Sequence, residues 1–461
     1  MKKVHFLGIG GSGISAIAKI AEAQGFEISG CDIDPNTEFT SAFRQNQLFQ
    51  GHSASHLYCH PEPFTPLEGK LREGSNSNID SSLITQNDKV IDILAVTPAI
   101  YSLDPDNLEL LEAKKKGIEI LTWQEFMGKY LENNKFVIAV CGTHGKSTTT
   151  AMIGKILEDA GLDPTVELGA IVPEWGNNYR IGGSQFFVTE ADEFNDNFLS
   201  THPDITVVTT IEMDHPEYFK DFESYKKSYS TFLGQTKKTI VANLSDRGVT
   251  DVITLHTGSH SRCVGITIDY SKKVIDFDLK IPGEFNILNA SAAYQVGLAL
   301  GIQPEVIRQS LENFTGINRR FEKIGEAYGA QIYSDFAHHP TEIKVTLKAV
   351  REKFSDKKIT VVFQPHMFSR TKALFADFVD VLKKSPVNQT YVLDIFPSRE
   401  VNTGLVNTKQ LIEAINQENV KYIASSDELL NLLSKEIKSG DIVIFMGAGE
   451  TDKIAKELVN T

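Results

Sequence analysis

The sequence predicts an α/β protein of about three domains, and three observations carry that prediction. A chain of 461 residues is too long for one hydrophobic core. Twice, at residues 2–24 and 135–160, a short apolar run passes through a glycine-rich turn into a helical pattern. From about Glu322 the alternation of strand and helix restarts and continues to the C-terminus.

Residues 2–8 read as an apolar strand running into Gly8-Ile9-Gly10-Gly11-Ser12-Gly13, which fits GxGxxG, and then a helix from about Ile14 to Gln24. Phe26–Ser29 is a second strand that ends at Gly30-Cys31-Asp32. This βαβ opening can hold a dinucleotide with Asp32 on a ribose, or the diphosphate of a nucleotide sugar, and both readings stay open at this point. Residues 53–88 lose periodicity and read as a long surface excursion. Val90–Val96 resumes a buried strand with Thr97-Pro98 at its end; Leu108–Lys116 is helical, Ile118–Leu121 a strand and Trp123–Glu132 a helix. Asn133-Asn134 reads as a hinge.

Phe136–Val140 is a buried strand, Gly142-Thr143-His144-Gly145-Lys146-Ser147 a glycine-rich turn, and Ser147 onward, through Thr148, a helix that stops at Gly161. Backbone amides of such a turn cradle phosphate, a lysine reaches the outer phosphates and the following serine ligates Mg²⁺. Val140 stands where the full Walker pattern has glycine, so this is a shortened GxxGKS loop. A strand over Gln185–Val188 then delivers Glu190-Ala191-Asp192-Glu193, carboxylates suited to Mg²⁺, and Ile205–Thr210 leads to His215, a further candidate ligand or a satisfied structural group. Asn286 and Asn289 lie three apart at a helix start, as caps or as an amide pair for a base. Arg319-Arg320 can grip phosphate together or form a surface pair. In the last third, strands at Ile332–Asp335, Ile359–Phe363, Tyr391–Leu393 and Asp441–Phe445 each end in a polar loop, the pattern of a doubly wound sheet.

Bulk properties exclude other classes. With 46 basic and 60 acidic residues the net charge is −14, which disfavours nucleic acid or an anionic membrane as partner. No apolar run approaches the ~20 residues of a membrane span. The start, MKKVHFLGIGG, is broken by glycines and does not read as a signal peptide. Cys31, Cys59, Cys141 and Cys263 form no CxxC pair and read as free thiols of a reducing cytoplasm.

Taken in order over nearly the whole chain, the two glycine motifs, Glu190-Ala191-Asp192-Glu193, Arg319-Arg320-Phe321, Asp335-Phe336-Ala337-His338-His339-Pro340 and Gln364-Pro365-His366 resemble the Mur ligase family. The resemblance implies an α/β protein with a Rossmann-like UDP-substrate domain (1–134), a central P-loop ATPase domain (135–321) and a Rossmann-like C-terminal domain (322–461). It implies a cytoplasmic ligase of peptidoglycan precursor synthesis, monomer or homodimer. The reaction would join L-alanine to the carboxylate of UDP-N-acetylmuramate through an acyl phosphate, with ATP and Mg²⁺. Gly10, Gly11, Ser12, Gly13 and Asp32 then serve the UDP-sugar. Gly142 to Thr148 serve the ATP phosphates, with Lys146 central. Ser147, Glu190 and His215 match metal-ligand positions; Asn286, Asn289, Arg320 and Asp335 match nucleotide contacts. His338, His366 and Arg370 fall where the muramoyl carboxylate and the amine are handled. The chain departs from the family pattern at Phe285 (usually His), Phe336 (usually Tyr), Met367 (usually Arg) and Thr97-Pro98. A ligase for a recycled murein tripeptide is the sibling alternative. An NAD-dependent oxidoreductase and a P-loop ATPase switch are alternatives of other classes.

Overall fold

Short β-branched runs, Phe136–Cys141 and Ile359–Phe363 among them, are buried along almost their whole length, as strands covered on both faces require. The structure is a computed structural model and describes residues 1–58, 90–258, 266–271, 276–398 and 400–461. Most of the 53–88 excursion, as well as Cys59 and Cys263, lies outside the described residues. Contacts divide the chain into two compact units, Met1–Asn133 and Asn134–Thr461.

The first unit holds one parallel sheet: β1 (Lys3–Leu7), β2 (Glu27–Asp32), β3 (Leu48–Gln50), β4 (Ile93–Val96) and β5 (Glu119–Thr122), in the order β3-β2-β1-β4-β5. Strand order reverses between β1 and β4, so the glycine turn after β1 sits at the switch point, where such sheets bind ligands. The helix after it runs Ser12–Ala23 and buries Ile14, Ile17 and Ile20 at helical spacing. The pattern at Trp123–Glu132 divides into an α turn, Trp123–Phe126, and a π turn, Met127–Leu131. A capping box between Thr122 and Glu125 starts it.

The second unit holds two sheets. The seven-stranded one contains β6 (Phe136–Cys141), β7 (Thr165–Val172), β8 (Asn177–Arg180), β9 (Phe186–Glu190), β10 (Ile205–Val208), β11 (Thr239–Ala242) and β12 (Ile266–Asp269). Its order is β12-β11-β10-β6-β9-β7-β8, parallel except for the β7–β8 hairpin. The helix Lys146–Asp159 lies on β6 and β7 and beneath the helices Glu284–Ala299 and Pro304–Asn313, so Ala151, Met152, Ile153, Ile156 and Leu157 are fully buried. Burying each such Leu, Ile or Met side chain is worth ~1.5–3 kcal/mol, which anchors the helix that carries the phosphate loop. The six-stranded sheet contains β13 (Glu322–Ala327), β14 (Ala330–Asp335), β15 (Ile359–Phe363), β16 (Gln389–Val392), β17 (Val420–Tyr422) and β18 (Ile442–Met446), ordered β13-β14-β18-β15-β16-β17. The predicted four-strand pattern thus gains β13, an antiparallel edge, and β17. No helix among the described residues is long and apolar enough to cross a membrane. Cys31 and Cys141 are buried free thiols, as expected.

Candidate active site

In the first unit, the glycine turn is held by the chain around it. Cys31 O accepts from Gly8 N at 2.8 Å and Ile9 N at 3.1 Å. Asp32 Oδ2 accepts from Gly10 N at 2.9 Å, so Asp32 braces the turn. A Cβ on Gly13 would stand 2.6 Å from the Trp123 ring, so only glycine lets this helix start approach that close. Gly10, Gly11, Ser12 and Gly13 lie together in that turn and the first residues of the helix Ser12–Ala23.

In the second unit, β6 delivers the glycine-rich loop expected to hold phosphate. Gly142 has φ of +130° and a Cβ there would lie 2.1 Å from Thr209 Oγ1. Gly145, at φ +84°, caps the helix Lys146–Asp159. Thr143 Oγ1 donates to Glu212 O at 2.9 Å and so ties the loop to the chain after β10. Lys146 Nζ donates to Gly142 O at 2.6 Å and pairs with Glu193 Oε2 at 2.9 Å. Burial alone would lower the lysine's pKa, but the carboxylates of Glu193, Asp192 and Glu190 outweigh it and hold the ammonium charged.

A cavity of about 250 Å³ opens beside this loop. It is lined by His144, Gly145, Ser147, Thr148, Asn286, Asn289, Arg320 and Asp335. These eight predicted nucleotide contacts come from both sheets of the unit. Tyr270, Ile281, Phe285, Leu288 and Ile317 give the cavity apolar walls, which suit the faces of a base. Gly283 rather than an asparagine caps the helix Glu284–Ala299. Asn286 therefore sits in its first turn and donates to Pro282 O at 2.7 Å, and Asn289 donates to Asn286 Oδ1 at 3.3 Å.

The two arginines part company. Arg319 donates to Gly447 O at 2.8 Å, whereas Arg320 faces the cavity and donates to Glu342 Oε1 at 3.2 Å. Asp335, at the end of β14, accepts from Phe321 N at 2.8 Å and Ala337 N at 2.9 Å. Burial pushes its carboxyl up to about 6 against the pull of Arg320 and these amides.

The predicted metal ligands divide as well. Asp192, Glu193 and His215 offer ligand atoms within 4.8 Å of one another. Glu190 lies apart from that trio and accepts from Gly169 N at 2.8 Å. His215 Nδ1 is 3.2 Å from Glu217 Oε1, and its Nε2 is 3.8 Å from Asp214 Oδ2. Burial would lower its pKa, but Glu217, Asp214 and Glu193 raise it.

At the ends of β14 and β15, His338, His366 and Arg370 do come together. Arg370 is buried and directs Nε and Nη2 to Asp214 Oδ1 at 3.0 and 2.9 Å. Its Nη1 donates to His366 Nδ1 at 3.1 Å. His338 stands edge-on to His366, ring centroids 5.5 Å apart. Burial, with the charge of Arg370 beside it, pushes the His338 imidazole down to about 4, so it is neutral near pH 7. Its Nδ1 lies 3.0 Å from Phe336 O, a pure acceptor, which places the hydrogen on Nδ1 and a lone pair on Nε2.

Sequence reasoning missed the acidic partners Glu212, Asp214 and Glu342. His144 hydrogen-bonds Glu212 through Nε2 and lies 3.4 Å from Glu342 Oε1 through Nδ1. Thr341 Oγ1 donates to Glu212 Oε2 at 3.0 Å, so the two sheets share one network. Burial would depress His144, but Glu212 and Glu342 push it up to about 9. A raised imidazole contributes stability that is complete below its unfolded value of about 6.5 and is lost as pH climbs through about 9. Wild type should therefore lose stability between pH 7 and 9.5 relative to His144→Gln, as urea midpoints would show; parallel pH profiles would refute this.

Models of three successive Mur ligase segments match the chain: the family's catalytic domain at residues 3–135, its middle domain at 140–297 and its glutamate ligase domain at 319–449. The UDP-N-acetylmuramate–L-alanine ligase of Caldicellulosiruptor bescii is 35% identical over 98% of this chain and 97% of its own length. That of Alkaliphilus metalliredigens is 34% identical over 100% of this chain and 97% of its own. The crystal structure of a UDP-N-acetylmuramate–alanine ligase from Thermotoga maritima shares the fold, with a TM-score of 0.75 at 24% identity, covering 100% of this chain and 99% of that one. With three family segments matched in succession and relatives about 35% identical over nearly the whole chain, the chain belongs to the Mur ligase family.

Proposed function

We propose that this chain is an ATP-dependent ligase that joins L-alanine to the carboxylate of UDP-N-acetylmuramate, a step of peptidoglycan precursor synthesis in the cytoplasm. The observation that carries this is the single cavity beside Lys146 to which both sheets of the second unit contribute predicted nucleotide contacts. Full-length relatives named for this reaction support it. We assign residues 1–134 to the UDP-sugar, 135–321 to ATP and 322–461 to the amine and to closure.

The reaction must bring a carboxylate onto the γ-phosphate of ATP, so the site must neutralise two anions that approach each other. Lys146, in the loop beside the cavity, and Arg320, in its lining, supply positive charge, and Asn286 and Asn289 present amides for the base. Ser147, Glu190 and His215 are the expected Mg²⁺ ligands; His215 has Asp192 and Glu193 within reach of one ion, whereas Glu190, bonded to Gly169 N, would have to turn to join them, and the mostly oxygen donors suit a hard cation. When bound, that ion would neutralise phosphate charge. The amine then displaces phosphate from the acyl phosphate, and its proton needs an acceptor. His338 Nε2 carries the lone pair for that or for orienting the amine, and Arg370 with His366 positions the acceptor end.

Phosphate release from Mg²⁺–ATP tests this, with UDP-N-acetylmuramate and, separately, L-alanine, glycine, L-serine or L-Ala-γ-D-Glu-diaminopimelate. Release that needs both the UDP-sugar and L-alanine is expected. Release that needs the tripeptide instead would move the chain to the recycling reaction and make Met367 a mark of that pocket. Release that needs no UDP-sugar would refute a ligase altogether.

A further inference from the structure

Inside the first unit, one carboxylate is surrounded by three imidazoles and a thiol. Glu109, fully buried in the first turn of the helix Leu108–Lys116, meets His5 of β1, Cys31 of β2, and His52 and His56 from the segment after β3. Glu109 Oε2 is 3.2 Å from His5 Nε2. Its Oε1 is 3.0 Å from His56 Nδ1, 3.2 Å from Cys31 Sγ and 2.9 Å from Ser53 N. His52 Nδ1 lies 3.3 Å from Cys31 Sγ and 3.9 Å from Glu109 Oε1.

We propose that His5 Nε2, Cys31 Sγ, His56 Nδ1 and Glu109 form a zinc site. All four donors lie within 4.8 Å of one another. Tetrahedral Zn²⁺ with bonds of about 2.0–2.3 Å needs ligand atoms roughly 3.3–3.7 Å apart, a small adjustment from the separations found. Sulfur and nitrogen donors favour zinc over Mg²⁺ or Ca²⁺. Charge closes too: thiolate and carboxylate balance the dication, so the filled site is neutral where His5, Cys31 and Glu109 are all wholly buried. On binding, the Cys31 thiol gives its proton to solvent.

An internal hydrogen-bond network explains the cluster less well. His5 is fully buried, and its Nε2 makes no hydrogen bond although it faces the carboxylate. Its other nitrogen, Nδ1, lies 2.8 Å from Ser29 Oγ, the outer-sphere contact that orients a metal-bound imidazole. His56 keeps some exposure and borders a cleft with Phe49 and Tyr58, which gives a path for the ion. The site would also reach the glycine turn, because the Cys31 carbonyl holds Gly8 N and Ile9 N.

The test is titration of the metal-free full-length protein with Co²⁺, then Zn²⁺, followed by absorbance and metal analysis. One equivalent of Co²⁺ should give tetrahedral visible bands and a thiolate charge-transfer band, both abolished by Zn²⁺. Zn²⁺ should also raise the melting temperature. Cys31→Ser should remove the charge-transfer band and weaken zinc at least about tenfold. Circular dichroism without metal checks its fold; should it fail to fold, His56→Gln, which is partly exposed, replaces it and should also weaken zinc tenfold. A six-coordinate spectrum without charge transfer, or a folded Cys31→Ser protein with the wild-type spectrum, would overturn the proposal. Neither result bears on the ligase reaction.

Discussion

Lys146→Ala is expected to lower ATP-dependent phosphate release by at least about 10³-fold while leaving UDP-N-acetylmuramate affinity within about twofold of wild type. The ammonium is fixed by Gly142 O at 2.6 Å and Glu193 Oε2 at 2.9 Å, so it needs little reorganisation to meet phosphate. Truncation removes that charge and strands the Glu193 side chain, which is wholly buried. The Tyr225 hydroxyl, at 3.0 Å, and His215, 4.0 Å away, remain beside it and compensate only in part. A lower melting temperature should therefore accompany the lost activity. Lys146→Arg should fail almost as badly, because a planar fork does not replace a compact ammonium in so tight a turn. Steady-state phosphate assays and calorimetric titration with the UDP-sugar separate the two effects. Substantial ligation by the alanine variant would contradict the assignment of the phosphate loop.

Arg370→Met should cost about 3–5 kcal/mol of stability, since it strips the buried Asp214 carboxylate of both guanidinium hydrogen bonds and leaves it with His215, 3.8 Å away. The side chains of Arg370 and Asp214 are only 3% and 9% exposed, so water compensates little. Despite burial, His215, Arg370, His338 and His339 keep the Asp214 carboxyl far below the usual carboxylate range. Asp214→Asn in the Arg370→Met background should recover on the order of 2 kcal/mol, the signature of direct coupling. Urea unfolding of the four proteins completes the cycle; additive losses would show that the pair is not an energetic unit. Ligation should stay low in the double variant even as stability returns, because the proposed acceptor end still lacks its guanidinium.

The fold was legible wherever a strand is apolar throughout, as at β6 and β15, because burial on both faces leaves a mark in local composition. The glycines, Lys146, Asn286 and Asn289 stood out in the sequence because their spacing is local and chemically unusual, whereas Arg320 and Asp335 were placed beside them only through the family resemblance. Their counter-ions were not. Glu193 lies 47 residues from Lys146, Glu212 68 from His144, and Asp214 156 from Arg370. Only the folded topology pairs such distant charges, and an isolated Glu or Asp reads as surface. Asn286 invites the reading of a helix cap, but Gly283, with φ of +102°, takes that place. The buried cluster around Glu109 was invisible for a similar reason: its four donors are spread from residue 5 to residue 109 with no local motif.

The join between the two sheets of the second unit has a mechanical consequence. Arg319 and Phe321 both adopt positive φ, at +59° and +54°. Arg319 O accepts from Phe336 N at 2.6 Å, and Phe321 N donates to Asp335. Arg320 is thus riveted to the tip of β14 from both sides. Any hinge displacement of the last sheet must carry Arg320 and Asp335 as one jaw. Whatever these two residues grip would then be released by both at once, not by one after the other.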